Sequence, residues 1–205
     1  MGRRTIFYLI IAVVFGFCTF AASAEESSVR AKIGIKISSG GAVEKAKSRG
    51  TLGIGDLLRI YVHPEANAYI YVVHSDLTVA TLLNVVEQKI NKSSTLVMPS
   101  LLNSYQVNGE SLQETFTIIC SPVKLSQMEG LIKNRTLPHT QWVKIETELL
   151  QNSKIDLSDN TEKPFALAGN VRGMDSTDSS DFAGGLPIFS GKGVLVKKYE
   201  FSVKK

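Results

Sequence analysis

The alternation of apolar and polar residues at 29–37 constrains the fold of this chain more than any other feature. Apolar side chains occupy every odd position of Val-Arg-Ala-Lys-Ile-Gly-Ile-Lys-Ile, and Arg, Lys or Gly fills the even positions. Successive side chains of a β-strand point to opposite faces, so this period of two predicts a strand with one buried and one solvated face. Such a strand needs a sheet around it and a second layer against its apolar side.

Further β-rich runs follow along the chain. They predict strands at 57–63, 69–76, 78–83, 94–98, 103–108, 114–120 and 193–203. The loop between the first two of these contains Pro64, which cannot continue a ladder, and its length suits a hairpin. The glycine-rich stretch 38–56 predicts a long connection that ends in a turn at 53–56.

The spacing of apolar residues changes to a helical period at 125–133 and 140–153. In the second segment Trp142, Ile145 and Leu149 fall on one stripe that should dock on a sheet. The prediction is a mainly β fold: an antiparallel β-sandwich with a small helical insertion, about 125–153, before the last strand. We expect the first and last strands to lie side by side and close the sandwich.

The N-terminus has the three parts of a secretory signal peptide. Arg3 and Arg4 precede an apolar run at 6–20, and Ala22-Ser23-Ala24 is a small-x-small cleavage pattern. We therefore expect residues 1–24 to be removed, which leaves a single β-rich domain at 25–205 that is exported to the periplasm or the extracellular space. The apolar run, at about 15 residues, is short for a bilayer, so no membrane span is expected after cleavage.

The charge and the cysteine content of the chain argue against a nucleic-acid partner and against a disulfide within the mature protein. The net charge of +4 falls further when Arg3 and Arg4 are lost, which is too small for a nucleic-acid partner. Cys18 belongs to the signal peptide, so Cys120 has no partner within the chain for a disulfide. Cys120 shares a strand face with Phe116, so we expect a buried small apolar residue rather than a nucleophile.

The stretch 55–121 resembles a bacterial family, domain-of-unknown-function family 4384. The residues that carry the resemblance are Gly55-Asp56-Leu57-Leu58-Arg59-Ile60, Tyr69-Ile70-Tyr71-Val72-Val73, Leu82-Leu83-Asn84, Pro99, Gly109-Glu110 and the strand 116–121. This chain has Asp76-Leu77-Thr78 where the family turns through Asp-Gly, and Leu83-Asn84 where it has Pro-Asn. Members occur as secreted proteins and as appendages of caspase-like peptidases and protein kinases. The resemblance therefore implies an accessory recognition module, and it transfers no catalytic residue.

Neither a metal nor a cofactor is expected. In the predicted hairpin His63 and His74 would be roughly 17 Å apart, too far to share one ion. The acidic loops at 156–160 and 175–181 lack the alternating ligands, the central glycine and the closing Glu of a calcium loop.

The predicted hairpin also places candidate binding residues on one face. With His63 opposite Tyr69, Tyr61 faces Tyr71, and Leu58, Ile60, Val62, Ile70 and Val72 form the inner face. The outer face would then carry the binding platform, which consists of Arg59, Tyr61, His63, Tyr69 and Tyr71. Aromatic rings beside Arg and His can bind a sugar ring or an extended peptide. The alternative is a cross-strand Tyr pair that only stabilises the sheet.

The sequence favours a non-enzymatic binding module for an unknown protein or envelope polymer, with no catalytic residues. The alternative function is a cell-envelope hydrolase whose acid–base pair comes from carboxylates such as Glu110, Asp156 or Asp181. Such a pair would have to lie about 5–10 Å apart on one concave surface. A structural brace in an envelope assembly is a third possibility.

Overall fold

The predicted alternation at 29–37 is present in β1 (Ser28–Ser39), where the odd positions are buried and the even positions other than Gly34 are partly exposed. The computed structural model describes residues 28–153, 182 and 184–204. The predicted signal peptide at 1–24 and the acidic loops at 156–160 and 175–181 lie outside the described residues.

The described elements are mostly short strands. After β1 these are β2 (Ala42–Lys45), β3 (Arg49–Gly53), β4 (Leu57–Pro64), β5 (Tyr69–Ser75), β6 (Val79–Leu82), β7 (Leu96–Met98), β8 (Tyr105–Gln106), β9 (Gln113–Ser121), β10 (Thr136–Pro138), β11 (Ile188–Lys192) and β12 (Leu195–Lys204). The helical elements are a 3-10 turn (Ser126–Met128), α1 (Glu129–Asn134) and α2 (His139–Asn152).

The strands form two sheets that face each other. Sheet A has the order β11-β1-β4-β7, with β2 beside β1 and β8 beside β4, and sheet B has the order β10-β6-β5-β9-β12-β3. All pairs are antiparallel except β3 with β12, which is parallel. The core between the sheets includes Ile33, Ile35, Ile60, Val62, Ile70, Val72, Ile118, Cys120 and Phe201. The mainly β, sandwich-like fold with a small helical insertion before the last strand is confirmed.

A second apolar cluster covers the outer face of sheet B. Tyr71 and Ile119 of the sheet pack there with Leu131 of α1 and with Trp142 and Leu149 of α2. The predicted stripe on α2 therefore docks on the sheet. Among the described residues, no helix is long and apolar enough to cross a membrane.

Three predicted connections differ from the structure. The hairpin of 57–63 with 69–76 is wrong, because β4 pairs with β1, β7 and β8 in sheet A, whereas β5 pairs with β6 and β9 in sheet B. The loop carries the chain across the core instead: Glu65 N donates to Arg30 O of β1, and Ala68 exchanges hydrogen bonds with Ile90. In this arrangement the apolar faces of β4 and β5 meet each other, which buries both from water.

The predicted connection at 38–56 contains two strands. Gly40 and Gly41, with φ of 54° and 88°, form the turn between β1 and β2, and β3 extends sheet B beyond β12. The first and last strands do not lie side by side, since β1 is in sheet A and β12 is in sheet B.

Candidate functional site

The five residues of the predicted binding platform lie on two different surfaces. Arg59, Tyr61 and His63 belong to the outer face of sheet A, and Tyr69 and Tyr71 to the outer face of sheet B. The core separates the two groups because β4 and β5 are in opposite sheets. The platform prediction is wrong for this reason.

On sheet A, Tyr61 is fully buried. Its ring centroid lies 4.9 Å from that of Phe182. Its cross-strand neighbour, Gly34, is covered by Leu186, whose Cδ2 would be 2.3 Å from a Cβ at that position. A side chain at Gly34 would therefore push the end of the Leu186 side chain aside. Arg59 and His63 flank Tyr61 and bind neighbouring loops rather than a shared site, with His63 Nδ1 at 3.1 Å from Thr95 Oγ1.

On sheet B, Tyr71 anchors the helical layer. Its phenol oxygen accepts a hydrogen bond from Leu125 N at 2.9 Å, and burial raises the pKa of the phenol. Tyr69 is half-buried, and the ammonium of Lys89 lies 5.8 Å from its ring centroid. Both tyrosines thus hold structure together, and Tyr71 presents no free face.

An open pocket of about 160 Å³ lies where the two sheets meet at one end of the sandwich. We call it the end pocket. Its lining comprises Leu58, His74, Leu83, Tyr105, Gln106, Val107, Asn108, Glu114 and Phe116. The short strand β8 contributes to it by pairing Tyr105 with Leu58. Burial raises the pKa of the Tyr105 phenol, while Arg135 opposes that shift.

A histidine–carboxylate pair forms the polar part of the end pocket. His74 Nε2 is hydrogen bonded to a carboxylate oxygen of Glu114. The imidazole also contacts the ring of Phe116, with centroids 5.1 Å apart. In the register of β5 with β9, His74 is directly opposite Phe116, so Glu114 lies on the diagonal. A diagonal neighbour is within reach of long side chains, which explains the contact.

A second cavity, of about 240 Å³, lies on the other side of sheet B beside α2. We call it the helix groove. Some of its polar groups already have partners: Glu146 accepts from Thr117 of the sheet and forms an ion pair with Lys198 at 3.1 Å. Burial acts to lower the pKa of Lys198, but the charges and hydrogen bonds of Glu146 and Glu200 together raise that pKa above its ordinary value.

The helix groove also contains a serine–histidine contact. Ser75 Oγ and His139 Nδ1 are 2.8 Å apart. Because the Ser75 hydroxyl donates to the carbonyl of Asp76, it accepts from the imidazole. A serine nucleophile needs the opposite polarity, in which histidine accepts the hydroxyl proton.

The neighbouring carboxylate, Asp76, caps the turn after β5. Its Oδ1 accepts from Thr78 N at 2.6 Å and from Val79 N at 2.7 Å. Burial acts to raise the pKa of this carboxyl, but the two amides and the nearby histidines lower it overall. Asp76 therefore stabilises the turn between β5 and β6.

The carboxylates named for the hydrolase alternative do not form a pair within the described residues. Glu110 is exposed, outside both cavities, and Asp156 and Asp181 lie outside the described residues. The three histidines contact different partners, Thr95, Glu114 and Ser75. Within the described part of the chain, no group of three or more His, Cys, Asp or Glu side chains could hold a metal ion.

Comparison with known proteins identifies no relative. No protein-family model, no curated protein and no solved structure matches this chain.

Proposed function

We propose that this chain is an exported, non-enzymatic binding module that takes an apolar side chain of a protein partner into the end pocket. The observation that carries the proposal is the pocket itself: an open volume of about 160 Å³ whose walls are mainly apolar. A cavity of about 150 Å³ with apolar walls is large enough to bind benzene, so an aromatic or branched aliphatic side chain would fit. The predicted signal peptide supports export, and the resemblance to family 4384 supports recognition.

The polar pair gives the pocket a means of selection. Ligand sites are commonly apolar with a few placed polar groups that fix orientation. Glu114 bonds to Nε2 of His74, whereas no described residue bonds to Nδ1. We expect Nδ1, with Gln106 and Asn108 of the lining, to bond polar atoms next to the inserted side chain.

The lining favours binding over the hydrolase alternative. Hydrolysis by paired carboxylates needs a second acid in the site, and Glu114 is the only carboxylate among the described lining residues. The helix groove is the weaker candidate because its serine, histidine, carboxylate and ammonium groups already satisfy one another.

Side-chain probes test the pocket directly. N-acetyl-phenylalaninamide and N-acetyl-leucinamide, titrated into the protein, should shift the methyl NMR signals of Leu58 and Val107, with Kd on the order of 1 mM for such small ligands. Replacement of half-buried Leu83 by Trp should fill the pocket and abolish these shifts. Leu77→Trp, which changes an exposed leucine outside the end pocket, is the matched control.

The same variants identify the partner class. The parent protein and Leu77→Trp should each capture the same proteins from periplasmic extract, whereas Leu83→Trp should not capture them. All three proteins should unfold in a cooperative thermal transition. Capture that Leu83→Trp leaves intact would contradict the proposal. Release of soluble sugar from envelope polymer by the purified protein would support the hydrolase alternative instead.

A further inference from the structure

The outer face of sheet A carries three basic side chains in one row. Lys45 of β2 and Arg59 of β4 are each directly opposite Lys36 of the central strand β1. Residues directly opposite one another on adjacent strands share a face, and like charges there are destabilising. None of the three forms an ion pair with a carboxylate of the described residues. We call this set the basic row.

An apolar row runs beside the basic row on the same face. Val43 and Leu57 are both opposite Ser38, two residues along from the basic row. Their exposed fractions are 57% and 39%. Pairs of exposed apolar side chains beside a charged row form an amphipathic surface rather than scattered single residues.

A leucine loop, residues 100–104, lies beside the basic row at Arg59. The Arg59 guanidinium donates to Asn103 O at 3.0 Å and to Ser104 Oγ at 3.2 Å, which holds the loop beside the row. The preceding Leu101 and Leu102 are 56% and 92% exposed. The loop shape is fixed, since Ser100 Oγ accepts from the backbone N–H groups of Leu102 and Asn103.

We infer that this face docks onto a bilayer surface that contains anionic lipid. The basic row would meet the lipid phosphates, and the leucine loop would insert into the boundary between headgroups and acyl chains. A soluble polyanion would use the basic row but leave the apolar row and the leucine loop in water. The combination of cations that form no ion pair with a described carboxylate and of exposed leucines therefore favours a membrane surface. The inference is independent of the end pocket.

Vesicle flotation tests the inference. The purified protein is mixed with vesicles of phosphatidylcholine alone, or of three parts phosphatidylcholine to one part phosphatidylglycerol. We expect binding to the anionic vesicles only, and weaker binding as salt is added. Each basic side chain near an anionic surface contributes about fivefold in affinity, so Lys36→Gln with Lys45→Gln should weaken binding about 25-fold.

Leu101→Ser with Leu102→Ser should weaken binding at least about tenfold, because the lost apolar area no longer leaves water. The matched controls are Lys133→Gln with Lys144→Gln, on the helical layer, and Leu77→Ser with Val123→Ser, at exposed positions elsewhere. Both control pairs should bind as the parent does.

Three results would overturn the inference: equal binding to the two kinds of vesicle, no binding to either, or equal losses in the control variants. Heparin supplies a soluble polyanion as a further arm. Binding to heparin that survives the leucine changes, without binding to anionic vesicles, would assign the face to a soluble polyanion. The two side-chain probes should bind the end pocket of the Lys36→Gln and Lys45→Gln variant as they bind the parent. A failure of this inference therefore leaves the proposed function of the end pocket intact.

Discussion

The phenol of Tyr199 in β12 donates a hydrogen bond across the core to the main-chain carbonyl of Ile33 in β1, over 3.4 Å. The ring is buried between the sheets and stacks with Phe201, with centroids 6.4 Å apart. The residue thus joins the two sheets through both packing and a long, weak hydrogen bond.

We predict that packing dominates at Tyr199. Tyr199→Phe should lower the free energy of unfolding by about 1 kcal/mol or less, the usual net value of one hydrogen bond. Tyr199→Ala should lower it by about 3–5 kcal/mol, because a large aromatic side chain leaves a cavity. Urea denaturation followed by the fluorescence of Trp142 measures both changes. Equal losses in the two variants would assign the stabilisation to the hydroxyl.

Sequence periodicity predicts which face of β1, β4 and β5 points into the core between the sheets. Leu58, Ile60, Val62, Ile70 and Val72 were all predicted to point inward, and all lie in the core. Periodicity does not determine which strands pair within a sheet, however. A strand has the same apolar face whether the next strand of the chain pairs with it in one sheet or lies in the opposite sheet across the core. The platform prediction depended on the wrong choice between these two arrangements.

The end pocket could not be predicted from the sequence. His74 and Glu114 are 40 residues apart, and their contact follows from the register of β5 with β9. The short strand β2 could not be predicted from periodicity, for a different reason. All four residues of β2 are exposed, so burial imposes no alternation there, and β2 forms because the Gly40–Gly41 turn folds it back on β1.

Asn84 supplies a second prediction. Its buried side chain continues the ladder of β5: Oδ1 accepts from Val72 N and Nδ2 donates to Ile70 O, both at 2.8 Å. Asn84→Leu should lower the free energy of unfolding by about 2–4 kcal/mol, since two buried backbone groups lose their partners. Asn91→Leu, at an exposed loop position, is the control. A melting temperature unchanged in Asn84→Leu would show that the backbone groups find other partners.

Cys120 should be unreactive in the folded protein. It is fully buried, and burial raises the pKa of the thiol to about 12, so little thiolate forms near neutral pH. The thiol-reactive reagent dithionitrobenzoate should modify it only at the rate of unfolding, and quickly in denaturant. Rapid modification of the native protein would contradict the burial of β9 in the core.

Glu200 should make stability depend on acid pH. Its carboxylate binds Lys198 Nζ at 3.1 Å and Arg49 Nε at 3.2 Å. The hydrogen bond from Lys198 is the main reason that its pKa lies below the ordinary value. A carboxyl with a lowered pKa in the folded state stabilises the fold above its unfolded pKa, and that contribution is lost as the pH falls through the folded pKa.

The melting temperature of the parent should therefore fall more steeply than that of Glu200→Gln from about pH 5 downwards. The difference should correspond to less than about 1 kcal/mol, because the carboxylate is partly exposed and therefore screened by solvent. Glu148→Gln, which removes an exposed carboxylate that forms no ion pair with a described residue, should follow the parent curve. Parallel curves for the parent and Glu200→Gln would show that the two ion pairs contribute nothing to folding.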